Sequence, residues 1–127
     1  MSENRPVISN ADIEQYELLV PLLRSAYNEI KELSKKKPDG LLNKFKVDKI
    51  NKVLIPLKKL TESEPIHTFL DLLDSESLPS NSDAILVLSE YIEAMRLFSD
   101  KYKHDVSEGF DMGMNLSFSS EWNRNDE

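Results

Sequence analysis

A chain of 127 residues has room for one domain with a hydrophobic core and too little for two. It contains no cysteine, which excludes disulfides, thiolate metal sites and cysteine nucleophiles. The apolar residues, 39% of the chain against 31% charged, recur periodically, which excludes global disorder. The net charge of −7 argues against general nucleic-acid binding but is unevenly spread: ten lysines stand between Lys31 and Lys59 against Glu32, Asp39 and Asp48, whereas from Thr61 onward acids outnumber Lys and Arg by 15 to 4.

Residues 1–9 read as a flexible arm without an apolar signal core, and no apolar run approaches the roughly 18 residues of a membrane span. The expected location is therefore the cytoplasm, without a membrane. The first helix is expected to begin at Asn10, a good cap residue, with Asp12 and Glu14 in its first turn. Its apolar stripe is Ile13, Tyr16, Leu19, Val20, Leu23, Tyr27, Ile30 and Leu33, spaced by three and four. The stripe stays in phase through Pro21, which predicts one kinked helix rather than two, because the proline removes a hydrogen bond and crowds the preceding turn.

Pro38-Asp39-Gly40 is a turn signal. A second helix follows over Leu41 to Leu60, with Val47, Ile50, Val53, Leu54, Leu57 and Leu60 as its buried stripe, Leu42 and Phe45 packing at its start, and Pro56 as its interruption. In an antiparallel hairpin Pro21 and Pro56 lie at the same level, so both helices would bend together. A third, short helix is predicted from Ser63 as cap and Pro65 in the first turn, carrying Ile66, Phe69, Leu70, Leu72 and Leu73 before a polar loop with Pro79.

The fourth helix, Ser80 to Tyr102, is expected to be the longest uninterrupted one and the centre of the fold. Ser80 and Asp83 cap it; Ile85, Leu88, Ile92, Met95 and Tyr102 form its stripe, widened by Ala84, Tyr91 and Phe98. Leu86 and Leu97 fall on the opposite face among Glu90, Glu93 and Arg96, a candidate second contact surface. The expected fold is all-α: a four-helix bundle-like single domain over residues 10–104, with a kinked N-terminal helix hairpin, followed by an extended or disordered interaction tail over 105–127.

Chemistry is weakly signalled. Glu64 and His67 make a single Glu-x-x-His pair, whereas di-iron bundles need two such pairs and further glutamates; His104 has Lys101 where the glutamate belongs. Neither a nucleophile elbow nor a phosphate-cradling glycine loop is present, so no enzyme activity and no cofactor are expected. Lys35, Lys36, Lys37, Lys49, Lys52 and Lys59 are candidates for phosphate contact, although the absence of arginine between Lys31 and Lys59 weakens any base-reading role.

In the tail, Phe110, Met112, Met114, Leu116 and Phe118 alternate with Asp111, Gly113, Asn115 and Ser117, a period-two pattern that suits a strand added to a partner's sheet edge, with Trp122 as anchor. The function expected from these residues is a non-enzymatic protein–protein interaction module, a small subunit or regulator of an intracellular assembly. Its partner would be another protein or a second copy. The alternatives are a nucleic-acid-binding regulator using the lysine hairpin and, last, a metal-carboxylate enzyme.

Overall fold

The computed structural model of the chain describes residues 5–110 and 116–125, with side chains placed for 5–106 and 120–125. Its element order is α1 (Asn10–Lys36), α2 (Lys44–Leu60), a 3-10 helix (Pro65–Phe69), α3 (Asn81–Tyr102), β1 (Lys103–Phe110) and β2 (Leu116–Trp122). The fold is mostly helical, but the four-helix expectation is corrected: there are three α-helices and a small two-stranded sheet among the described residues.

The helix starts follow from local hydrogen bonding. Ser9, one residue before the expected cap, accepts the Asp12 amide at 3.1 Å; Asn43 accepts the Lys46 amide at 2.8 Å, so α2 begins after Leu41 and Leu42; Ser80 accepts the Asp83 amide at 3.1 Å. α1 runs 27 residues without a break through Pro21, which makes it, and not the 22-residue α3, the longest helix. Pro56 likewise lies inside a continuous α2.

The connection over residues 37–43 is too short to let α2 run parallel to α1, and Lys46 reaches back to Glu29 at 3.4 Å, so the two form an antiparallel pair. Their link is pinned to the start of α3. The Asn81 amide donates to the Gly40 carbonyl at 2.7 Å, the Ser82 amide to Pro38 at 3.0 Å, and the Leu42 amide to Pro79 at 2.9 Å.

Leu23, Val47, Leu54, Leu57 and Leu88 are fully buried in the core shared by the three helices. α1 and α2 bury the stripes their periodicity implies, with one correction: Leu42 packs inward but Phe45 stands 70% exposed. On α3 the buried face is Ala84, Leu88, Tyr91, Ala94, Met95 and Phe98, and Ile92 is only half-buried at its flank.

The predicted third helix is corrected as well. Only Pro65–Phe69 turns, as a 3-10 helix, and residues 70–74 follow without helix. The Asn51 side chain accounts for this: its amide donates to the Leu73 carbonyl at 2.8 Å and its oxygen accepts the Leu73 amide at 3.0 Å. Those two backbone groups are thereby satisfied without a helix. The Tyr91 hydroxyl adds a bond to the Asp71 carbonyl at 3.0 Å.

The C-terminal region folds back on its own chain. β1 follows α3 directly and pairs antiparallel with β2, Lys103 opposite Trp122 and Phe110 opposite Leu116, with an irregularity between Ser107 and Gly109. The boundary expected between residues 104 and 105 thus falls inside β1. Trp122 joins Ile8, Ile13 and Phe98 in a second apolar cluster, flanked by Tyr16 and Tyr102. Pro6 and Ile8, within the expected N-terminal arm, bond to this end: the Ile8 amide donates to the Asn123 carbonyl at 2.9 Å, the Asn125 amide to Ile8 at 2.8 Å, and the Asn123 side chain to Pro6 at 3.1 Å.

Candidate functional site

Between α1 and α2 an open groove of about 510 Å³ runs along the surface. Its floor is apolar: Leu19, Ile30 and Ile50 are buried there, with half-buried Ala26 and Val53 above them. These residues belong to the inward stripes, which is why the groove follows the helix seam. Its walls come from residues just off those stripes. Leu22 on α1 is 49% exposed, and Phe45 on α2 raises its ring into solvent. Leu18, one turn before Leu22, is also exposed but does not line the groove. Ser25 and Ala26 keep that wall low at its middle.

The rim is basic on the α2 side. Lys46, Lys49 and Lys52 line it at spacings of three on one helix face. Lys46 is engaged with Glu29 across the groove, whereas Lys49 and Lys52 make no ion pair among the described residues. An apolar floor with exposed aromatic and aliphatic walls and cations along one edge can bind an amphipathic surface by burying its apolar face and pairing its flank.

The other lysine candidates are placed differently. Lys35 pairs with Glu32 at 3.4 Å, Lys36 and Lys37 stand exposed at the end of α1, and Lys59 lies further along α2 outside the groove. The six are not brought together into one patch; Lys49 and Lys52 are.

Leu86 and Leu97 are exposed on the outer face of α3, as their phase implies. Beside Leu97, Arg96 binds both Glu93 and Asp100, so one cation offsets part of the acidic charge and the face stays net acidic. A smaller cleft of about 280 Å³ between α1 and α3 includes Arg24 and the same Arg96.

Of the tail residues, Phe110 ends β1 while Leu116 and Phe118 belong to β2, so the alternating run is divided between two strands rather than forming one. Met112 and Met114 lie outside the described residues. Trp122 is corrected from a partner anchor to a residue of its own core: it is 8% exposed, its ring meets Tyr16 edge-on at 4.8 Å, and its Nε1 donates to Glu17 at 3.2 Å. The Lys103 ammonium sits 4.5 Å from the centre of its ring.

Glu64 and His67 also serve the fold. Glu64 accepts from Lys101 Nζ at 2.9 Å and from the Tyr102 hydroxyl at 2.7 Å, while His67 Nδ1 donates to the Lys58 carbonyl at 3.0 Å. Burial alone would raise the Glu64 carboxyl, but the hydrogen bonds from Lys101 and Tyr102 and the charge of Lys101 outweigh it and hold the group below its ordinary range. Among the described residues, no three His, Asp or Glu side chains come close enough to hold a metal ion, and no helix is long and apolar enough to cross a membrane.

Sequence reasoning missed Leu22 as a groove residue and placed Phe45 at the packed start of α2 rather than in an exposed wall. The available signal was a pair of leucines one turn apart beside, but outside, the α1 stripe, together with an aromatic at the start of α2 whose phase is not that of Val47 and Ile50. No protein-family model, curated protein or solved structure matches this chain.

Proposed function

We propose that this chain is a non-enzymatic protein-interaction module, a small subunit or regulator within a larger intracellular assembly, and that its working surface is the groove between α1 and α2. The observation that carries this reading is the exposure of Phe45 and Leu22 on either side of a continuous apolar floor. Isolated exposed leucines are ordinary, but apolar walls lining one open seam are the usual mark of a docking surface. The C-terminal tail, the surface favoured by the sequence pattern, commits Trp122 to its own core, which shifts the preference to the groove.

The test is affinity capture from native lysate with the wild-type chain and with Leu22→Glu and Phe45→Glu. Both side chains are exposed, so the variants should melt like the wild type. A specific partner retained by the wild type and lost from both variants supports the reading. A partner captured equally by all three places the working surface elsewhere and overturns it.

The second reading, a nucleic-acid-binding regulator, is favoured by Lys49 and Lys52, which have no ion-pair partner among the described residues. It predicts salt-dependent RNA or DNA binding lost on Lys49→Glu with Lys52→Glu. The apolar floor and walls between which those lysines stand favour the protein-binding reading over it.

A further inference from the structure

We propose that the α1–α2 groove receives an acidic amphipathic helix of a partner protein, its apolar stripe set on the floor between Leu22 and Phe45 and its acidic flank turned toward Lys49 and Lys52. This rests on the interaction-module reading and names the chemistry of the occupant.

The argument is one of shape and charge together. From Leu19 to Ile30 the α1 side of the groove extends for roughly 16 Å, three helical turns, a length that a short helix fills. The low stretch at Ser25 and Ala26 lets a helix backbone come close, while Leu22 and Phe45 stand on opposite sides to grip side chains of its apolar stripe. Polarity is one-sided. The α2 edge offers Lys49 and Lys52 without ion pairs, whereas the groove-lining acid of α1, Glu29, is already held by Lys46 at 3.4 Å. The complementary helix therefore carries Asp or Glu along the flank that faces α2 and needs no matching cations on the other.

A second copy of this chain is the weaker fit. Its own exposed acidic face, on α3 around Leu86 and Leu97, has Arg96 between Glu93 and Asp100, and that guanidinium would be brought against the lysine rim. A nucleic-acid backbone would satisfy the lysines but leave the Leu22 and Phe45 walls against phosphates and sugars.

The experiment uses the full chain, isotopically labelled, and three synthetic peptides of roughly 14 residues, enough for about four turns. One carries leucines at helical spacing with glutamates along one flank. The second has lysines in place of those glutamates, and the third is a scramble of the first. The acidic peptide should shift the amides of residues around Leu22, Ala26, Phe45, Lys49 and Val53 and should bind at least about tenfold tighter than the other two. Phe45→Glu should weaken it by a similar factor, and Lys49→Glu with Lys52→Glu should reverse the preference toward the lysine peptide.

The proposal is overturned if the scrambled or lysine peptide binds the wild type equally, or if the shifts map to another face. It is also overturned if an RNA oligonucleotide occupies the groove more tightly than the peptide, or if sedimentation shows a wild-type dimer that Phe45→Glu dissociates. Failure here is separable from failure of the broader reading. A partner captured through Phe45 while no acidic peptide binds the groove leaves the module intact and the occupant wrong. Capture that ignores Phe45 removes the groove as the working surface.

Discussion

Trp122 Nε1 donates to the Glu17 carboxylate at 3.2 Å, joining the last residue of β2 to the second turn of α1 across 105 residues of sequence. The indole also packs on Tyr16 and Phe98 and is capped by the Lys103 ammonium. The residues around Trp122 are therefore part of the same packing as α1 and α3.

The consequence is that the C-terminal region supports the fold. Trp122→Ala removes a large buried ring and orphans the Glu17 contact, and should cost about 3–5 kcal/mol. Deletion of residues 105–127 should lower the denaturant midpoint at least as far, because it also takes away the Asn123 and Asn125 groups that hold Ile8. A truncated protein that melts like the full chain would show that this cluster adds nothing to the core.

The two faces of α3 should behave differently. Leu88 is fully buried in the three-helix core, so Leu88→Ala should cost about 2–5 kcal/mol. Ile92 lies at the flank, and Ile92→Ala should cost distinctly less. Leu97→Ala, on the solvent side, should stay within about 0.5 kcal/mol of wild type. Urea melts of the three variants check the order; equal losses at Leu97 and Leu88 would mean that both faces are packed.

Periodicity made α1 and α2 legible because each apolar stripe is an intrahelical property, set by spacing alone. For α3 it marked the helix and its ends but centred the stripe on Ile92. The structure moves the centre of the buried face to Ala84, Tyr91 and Phe98, which the spacing had put at the stripe's margin; the Tyr91 hydroxyl meets the Asp71 carbonyl, a partner in a distant segment that spacing cannot reveal. That segment was read as a helix because Ile66, Phe69, Leu70 and Leu73 recur at three and four. The non-helical backbone there is held by Asn51, twenty-two residues earlier, through both polar groups of Leu73. The hairpin was hidden for a related reason. β1, KHDVSEGF, has no clean alternation, and its partner β2 follows only after the segment between Phe110 and Leu116, so spacing alone does not show the pairing. The groove required the pairing of α1 with α2 before Leu22 and Phe45 could be seen as walls of one seam.

Asn51 offers a direct test of that long-range control. Asn51→Ala deletes both bonds to Leu73 and leaves a part-buried backbone amide and carbonyl without them. The expected loss is about 1–3 kcal/mol, with faster amide exchange confined to the segment around Leu70–Asp74. Asn51→Asp keeps the acceptor for the Leu73 amide but replaces the donor with a carboxylate facing a carbonyl, so it should be no better. Exchange that stays slow in that segment in Asn51→Ala would show that Leu70, Leu73 and Tyr91 suffice to hold it.

The contact of Glu64 with Lys101 and Tyr102 sets a pH dependence whose sign follows from the shifts. Glu64 is held below its ordinary value of 4.5, where burial opposes and the Lys101 and Tyr102 hydrogen bonds prevail. A carboxyl with a depressed folded pKa contributes stability that is fully present above 4.5 and is lost as the pH falls through the folded value. At the other end, burial and the bond to Glu64 push the Tyr102 phenol above its ordinary 10, so its contribution is present below 10 and disappears as the pH rises through the folded value. Glu64→Gln keeps the shape and abolishes the first titration. The stability difference between wild type and Glu64→Gln should therefore be largest between about pH 5 and 9 and should shrink steadily below pH 4.5. Lys101→Met should reduce the same difference at neutral pH, because the carboxylate then keeps only the Tyr102 and Ser63 hydroxyls as donors. Guanidinium chloride screens this exposed side of the contact, so urea is the denaturant to use. A wild-type-minus-variant difference that stays flat from pH 7 down to pH 3 would show that Glu64 is not held ionised by the fold.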